Sequence, residues 1–540
     1  MSLSKRLRAP RDDRGVVAEP PLAEAGKVLV ENRQSFAQTD LVFLGRPLSD
    51  LRRRARHDII EKSLAYLQTA GEPVPKTNAD SLILAGHQPE LFHPGVWVKN
   101  FALHHLARRH GATPLNLIVD NDIAKTTALR LPTWKQGGWP HVIQLPFDRR
   151  DGEVPYEDRP VHDEELFAGF AARARPLEES WNFEPFLGRF WAEVIRQSGR
   201  TPLLGERLAS ARRTFERQWG CHNLEVPVSI MSRSEAFAIF ALDLLDRLPA
   251  FHSHHNDVVR EYRRAHGIRS RHHPVPDLGR DGGWLEAPFW AWRSGQERRQ
   301  RLFMRVESGS VSLRAGPEPW PALPGSNATP RARLESWQAL QANGYKIRPR
   351  ALSNTLFARM FLADMFMHGI GGGTYDELTD AVMRRVYGLK PPGFLVLSAT
   401  LLLPFPHNDR SAEDCRRLSH ALRDLAWNPQ RHLPADANEE IRMLAHEKKF
   451  LIEQTGGDGR TRYHRLRELT GRLRSLLGEQ EEALRQQVSL CHKQVEANQV
   501  LGRRDYAFCF YPEALLREFC RDFLSPRTGD NRENRDLGEL

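Results

Sequence analysis

Short apolar runs that each give way to a helical pattern place the strongest constraint on how this chain can fold. Leu41-Val-Phe-Leu, Leu82-Ile-Leu-Ala, Leu115-Asn-Leu-Ile-Val, His141-Val-Ile-Gln-Leu, Val226-Pro-Val-Ser-Ile and Phe394-Leu-Val-Leu-Ser are too short for helices. Continuous apolarity is what strands covered on both faces require, and helices between them predict a largely parallel sheet of the α/β class. Ligands of such sheets bind beyond the carboxyl ends of the strands, so the loops after Ala85 and Val119 become the first places to look.

A length of 540 residues implies two or three packed units with room for a deep cleft. Apolar residues make up 40% and charged residues 27%, a globular balance, and no run approaches the roughly 18 apolar residues of a membrane span. The charged start, Met1-Ser-Leu-Ser-Lys-Arg, lacks the apolar core of a secretory signal, so the expected compartment is cytoplasmic. Cys221, Cys415, Cys491, Cys509 and Cys520 are odd in number, far apart and in no CxxC pair, which predicts reduced thiols and no zinc knuckle. The net charge of +10 raises nucleic-acid binding. Basic runs such as Arg52-Arg-Arg-Ala-Arg and Glu297-Arg-Arg-Gln-Arg alternate with acidic ones such as Asp163-Glu-Glu, however, and no aromatic residues interleave them, so solvated surface is the expectation.

The pattern divides the chain into a first part of the core (1–250), a connecting insertion (251–345), a second part of the core (346–436), a helical hairpin (437–498) and a C-terminal segment returning to the core (499–540). Phe289-Trp-Ala-Trp, Arg301-Leu-Phe-Met-Arg-Val and Val311-Ser-Leu-Arg alternate as antiparallel strands, with a turn at Glu307-Ser-Gly. Residues 316–333, rich in Gly and Pro, read as a surface loop. Asn438 to Gln454 and Arg460 to Val495 carry apolar residues at helical spacing, among them Leu466, Leu469, Leu473 and Leu476, on either side of Thr455-Gly-Gly-Asp-Gly. This predicts an antiparallel hairpin of coiled-coil type, with an ordinary core pair as the alternative.

The densest polar segment follows the Leu82 run. Gly86, His87, Gln88 and His93 lie in its loop, and Lys99 and Asn100 open the next helix, a combination suited to holding phosphate oxygens and stabilising developing charge. Asp120, Asn121, Asp122 and Lys125 end the neighbouring strand, where they would bind a ribose hydroxyl, a substrate amine or a metal, or else cap a helix. Arg348 and Arg350 suit carboxylate or phosphate, and Gly371, Gly372, Gly373, Thr374, Tyr375 and Asp376 begin another helix as a backbone-lined anion site or a close-packed turn. No Lys follows the last of these glycines, so this is not the GxxxxGK[ST] phosphate loop. His252, His254, His255, His272 and His273 lack metal-ligand spacing, and no metal site is expected. Ser232, Ser234 and Glu235 read as a helix cap without a nucleophile elbow.

With these segments in order, the chain resembles the bacillithiol-biosynthesis cysteine-adding enzyme family. The family's glycine-glutamine-glutamine loop and lysine-bearing helix are similar to Gly86-His87-Gln88 through Lys99, with His87 standing in place of the first glutamine. Its acidic strand end is similar to Asp120-Asn-Asp122, its arginine-proline stretch to Arg348-Pro-Arg350, and its glycine-rich segment to Gly371 through Tyr375. The resemblance implies a Rossmann-like nucleotidyl-transferase core with inserted elements and a coiled-coil hairpin used for homodimerisation. It also implies a ligase that adds cysteine to a glucosamine-malate acceptor, with Gln88, Lys99, Asp120, Asp122, Arg348, Arg350 and Tyr375 lining the cleft. On that reading His87 or His93 is the acid-base group or charge stabiliser, Lys99 and Arg348 neutralise anions, and Asp120 or Asp122 holds an ammonium. Amide formation in water calls for ATP or another nucleotide. The competing readings are a nucleotidyl- or glycosyl-transferase on the same core, and a non-catalytic scaffold built around the hairpin.

Overall fold

The Leu82 run becomes the strand Leu82–His87 inside a six-stranded sheet. The computed structural model describes residues 7–150, 152–307 and 309–524; the chain is mixed α/β and about 51% helical. Across the sheet the order is Val16–Glu19, Phe394–Ala399, Met365–His368, Leu82–His87, Thr113–Ile118, Leu224–Pro227, all parallel except the first. Side chains alternate between two layers. Ile83, Ala85, Leu395 and Leu397 share a core with the helix Pro94–Arg109, while Leu82, Leu84, Leu115 and Leu117 share one with Leu48–Thr69 and Glu235–Asp246. Trp97, Phe101 and Leu103 on the first layer are fully buried, each stabilising the fold by roughly 1.5–3 kcal/mol.

From Leu82–His87 the chain builds outward through Thr113–Ile118 and Leu224–Pro227, then returns to lay Met365–His368 and Phe394–Ala399 on the opposite flank. Strand order therefore reverses between Leu82–His87 and Met365–His368, the kind of position where open α/β sheets bind ligands.

Of the expected strand Val226 to Ile230 only Val226 and Pro227 are in the sheet, since Val228–Met231 is helical, and two further expected strands lie elsewhere. Val42–Phe43 pairs only with Arg46–Pro47, because Leu44 and Gly45, at φ 46° and 77°, fold the chain straight back. His141–Pro146 pairs antiparallel with Ala128–Thr133, outside the main sheet. Two core strands escaped the pattern, Val16–Glu19 and Met365–His368. The second follows directly on the helical stretch Ala351–Leu362, whose last carbonyls are held by Arg52 (to Met360 O, 2.5 Å, and Ala363 O, 2.9 Å) and Arg56 (to Leu362 O, 2.9 Å).

The insertion is larger than expected: Glu318–Pro324, Ser310–Ala315, Gln300–Glu307, Trp284–Arg293 and Tyr345–Pro349 form one antiparallel sheet. Glu318–Pro324 falls in the stretch read as a loop. Its prolines are tolerated because it is the edge strand. Arg348 sits on the strand Tyr345–Pro349, so it belongs to this sheet. The expected turn at Glu307-Ser-Gly includes Ser308, which lies outside the described residues, as do residues 1–6 and 525–540 of the two terminal segments.

Glu439–Glu453 and Gly459–Leu476 pack antiparallel through Ile441, Leu444, Ala445, Leu469, Leu473 and Leu477, with Arg465 on Glu447 and Arg472 on Glu440. The second helix does not continue to Val495. It breaks at Leu477, and Gly478–Leu501 instead meets Ala412–Trp427, where Cys415 and Cys491 form a disulfide. That corrects the expectation of reduced thiols throughout: the two cysteines are 76 positions apart, and no local spacing announces their pairing. Glu513–Leu524 returns to the core beside Pro94–Arg109. Among the described residues no helix is long and apolar enough to cross a membrane.

Candidate functional site at the strand reversal

His93 caps the helix Pro94–Arg109, its Nδ1 accepting from the Gly95 amide at 3.1 Å, with Pro94 at the first helical position. Gly95 is pressed on the end of a sheet strand: a β-carbon there would stand 1.8 Å from the Ala399 carbonyl oxygen. This contact seats Lys99, which is 5% exposed, at the reversal. A β-carbon on Gly369, the cap of Ile370–Tyr387, would stand 3.7 Å from Lys99 Nζ. No hydrogen bond or ion pair holds that ammonium among the described residues, and burial pulls its pKa down to about 8.

The two histidines present opposite faces. His87 Nδ1 lies 3.0 Å from the Gln88 carbonyl, which can only accept, so Nδ1 carries the proton and Nε2 keeps a lone pair. In His93 the Gly95 amide claims Nδ1, which leaves Nε2–H as a donor. Burial, then Lys99, hold His87 down to about 3; burial, then Arg504, hold His93 down to about 4. Two neutral imidazoles thus flank one buried ammonium.

On the neighbouring strand end, Asp120 Oδ1 accepts from the Ser229 amide at 2.9 Å and Oδ2 from its hydroxyl. Burial and the nearby Glu157 push Asp120 well above the usual carboxylate range against the pull of Ser229 and Arg348. Arg348, 1% exposed, is bound to Glu157 at 3.1 Å. Asn121 Nδ2 donates to the Pro349 carbonyl at 2.7 Å. Asp122 accepts from Gln88 at 2.9 Å and from Arg299 at 2.7 Å. Arg299 and Arg350 lie over the Trp290 ring at 4.3 and 4.8 Å, and Arg350 reaches Glu286 at 2.5 Å. The inserted sheet thereby walls one side of the site.

Gly86, His87, Gln88, His93, Lys99 and Asp120 to Asp122 thus gather at one sheet edge, with exposed Lys125 near enough to act on His87 by charge. Other expected residues serve elsewhere. Asn100 turns beneath its helix to Glu216 (2.7 Å), beside Trp97. A β-carbon on Gly372 would lie 2.9 Å from His368 Nδ1, and one on Gly373 2.5 Å from Val396 Cγ2, so both glycines let the helix pack closely, while Gly371 faces open space. Thr374 donates to the Ile370 carbonyl at 3.1 Å. Asp376 is clamped by Arg359 at 2.8 Å and lies 2.6 Å from His368 Nε2; burial opposes its charge, but Arg359, then His368, hold it below the usual range. Asp120 and Asp122 have their oxygens committed as above. At this site Glu90 has no hydrogen-bond partner among the described residues, and burial raises it against the attraction of Lys125.

Glu90, Glu157, Ser229, Arg299 and Arg504 were missed from sequence. Glu90 lies inside the loop already singled out, whereas Arg299 sits in a basic run read as solvated surface. Of the clustered histidines, His252 Nε2 lies 3.0 Å from the Gly279 carbonyl and His255 Nδ1 3.2 Å from Asn256 Oδ1. Among the described residues no group of three or more His, Cys, Asp or Glu could hold a metal ion. No protein-family model and no curated protein matches the chain.

Proposed function

We propose that this chain is an amide-forming ligase joining an amino acid, cysteine on the resemblance, to an amine-bearing, sugar-type acceptor, driven by ATP or another nucleotide. The observation that carries this reading is Lys99: a buried ammonium without an anionic partner among the described residues, at the strand reversal, facing the amide-bearing start of a helix. Isolated buried charge is costly unless a ligand neutralises it, and a phosphate there would meet Lys99, His93 Nε2–H and the helix N-terminus together. The strand order supports a Rossmann-like nucleotidyl-transferase core.

In the proposed reaction a carboxylate oxygen of the amino acid bonds to a phosphorus of the nucleotide, releasing the rest of the nucleotide or pyrophosphate. The acceptor nitrogen then bonds to the activated carbonyl carbon, the carbon–oxygen bond to phosphate breaks, and the amine proton passes to His87 Nε2 or Glu90. Met443 and Phe450, 62% and 61% exposed on Glu439–Glu453, support self-association through the hairpin as a homodimer.

The test is incubation of the protein with nucleotide, cysteine and amino sugars, read by mass spectrometry for an amide product. Lys99→Met should abolish both product and the thermal shift with nucleotide. Absence of a shift with any nucleotide, together with no product, would remove the proposal.

A further inference from the structure

A cavity of about 560 Å3 opens against the first turn of Ile370–Tyr387, lined by Ile268, Val396, Tyr375, Thr374, Gly371 and Arg269 among others. The described site does not use it. Its position is informative because Lys99 Nζ lies beside Gly369, two residues before Gly371 in the cavity wall, so one helix start carries both the cavity and an ammonium without a hydrogen-bond partner among the described residues. Gly371 leaves the cavity clear, with no atom within 4 Å of where its β-carbon would stand. Ile268 and Val396 offer apolar walls, Tyr375 a ring and Arg269 a planar guanidinium, the surfaces on which a flat heteroaromatic group is held.

We infer that this cavity takes the base of a nucleoside phosphate whose phosphate chain crosses the Gly369–Ile370 backbone to Lys99. The inference rests on the reading of Lys99 as a phosphate ligand and adds to it the place where the nucleotide's base is held. A ligand so placed gains apolar burial at one end and charge neutralisation at the other, and inorganic polyphosphate would gain the second alone.

Equilibrium binding to the full chain, measured calorimetrically with ATP and with inorganic tripolyphosphate, separates the two parts. ATP should bind at least about tenfold more tightly than tripolyphosphate. Gly371→Phe, filling the cavity from an open position, should weaken ATP by about tenfold or more and leave tripolyphosphate unchanged. Thr374→Trp, from an exposed position on the same wall, should do likewise, and circular dichroism identifies any variant that fails to fold. Lys99→Met should weaken both ligands. Equal affinities, with neither cavity variant affecting ATP while Lys99→Met still weakens both ligands, would overturn the base site and leave the phosphate reading standing. Indifference of both ligands to Lys99→Met would overturn the phosphate reading and this inference with it.

Discussion

Arg299 and Asp122, 177 positions apart, are joined guanidinium to carboxylate at 2.7 Å, and the same guanidinium reaches the Asn121 carbonyl at 2.7 Å. These bonds fasten the inserted sheet to the strand-end loop of the core. Both side chains are mostly covered, so solvent screens the pair only in part. Arg299→Ala should lower unfolding free energy by about 1–2 kcal/mol and weaken ligand binding at the site, measured by urea denaturation and calorimetry. Unchanged affinity would mean that the inserted sheet does not border the ligand.

Folding pulls Lys99 from 10.5 to about 8. Below about pH 8 the folded protein carries an ammonium that burial disfavours; between pH 8 and 10.5 that proton leaves the folded state first and the penalty fades. Lys99→Met should therefore stabilise the ligand-free protein at pH 7, by roughly 2–3 kcal/mol, with the advantage vanishing by about pH 10.5. Thermal melts across that range are the check. A variant less stable than the parent at pH 7 would reveal an unrecognised partner for the ammonium.

His93 titrates at about 4 when folded against 6.5 when unfolded. Its contribution is complete above pH 6.5 and is lost as pH falls toward 4, because only the unfolded chain takes up the proton. Asp120, raised by folding, acts in the opposite sense across the carboxylate range. His93→Asn keeps a capping acceptor for the Gly95 amide while removing the titration. The difference between parent and variant, in which Asp120 cancels, should show the parent losing stability faster below pH 6.5. Parallel curves would count against the neutral imidazole.

Gly95→Ala drives a methyl into the Ala399 carbonyl, which is backbone and cannot swing aside. A destabilisation of about 3 kcal/mol is expected, read as a fall in melting temperature. Gly371→Ala, into open space, should not reproduce it.

Thiol titration under denaturing conditions should count three groups, Cys221, Cys509 and Cys520, before reduction and five after it. Five groups without reductant would mean the Cys415–Cys491 bond does not form.

The parallel sheet and its two strand-end loops were legible because buried parallel strands leave unbroken apolar runs, as at Leu82 and Phe394. Met365–His368 was not: four residues after a helical stretch carry no period of their own. His87, His93 and Lys99 could be found because they surround one strand end in sequence. Arg299, Glu157 and Ser229 reach Asp120, Asp122 or Arg348 only through tertiary packing, and no spacing along the chain reports such partnerships. The triple glycine read as an anion site or a close-packed turn, and two of its members pack closely, against Val396 and His368.

The Cys415–Cys491 bond turns the chain between them into a covalent ring that contains the whole helix pair from Glu439 to Leu476. A protease cutting the exposed Thr455-Gly-Gly-Asp-Gly turn inside that ring would nick the protein without shortening it, since both fragments stay tied to one another until a reductant releases them.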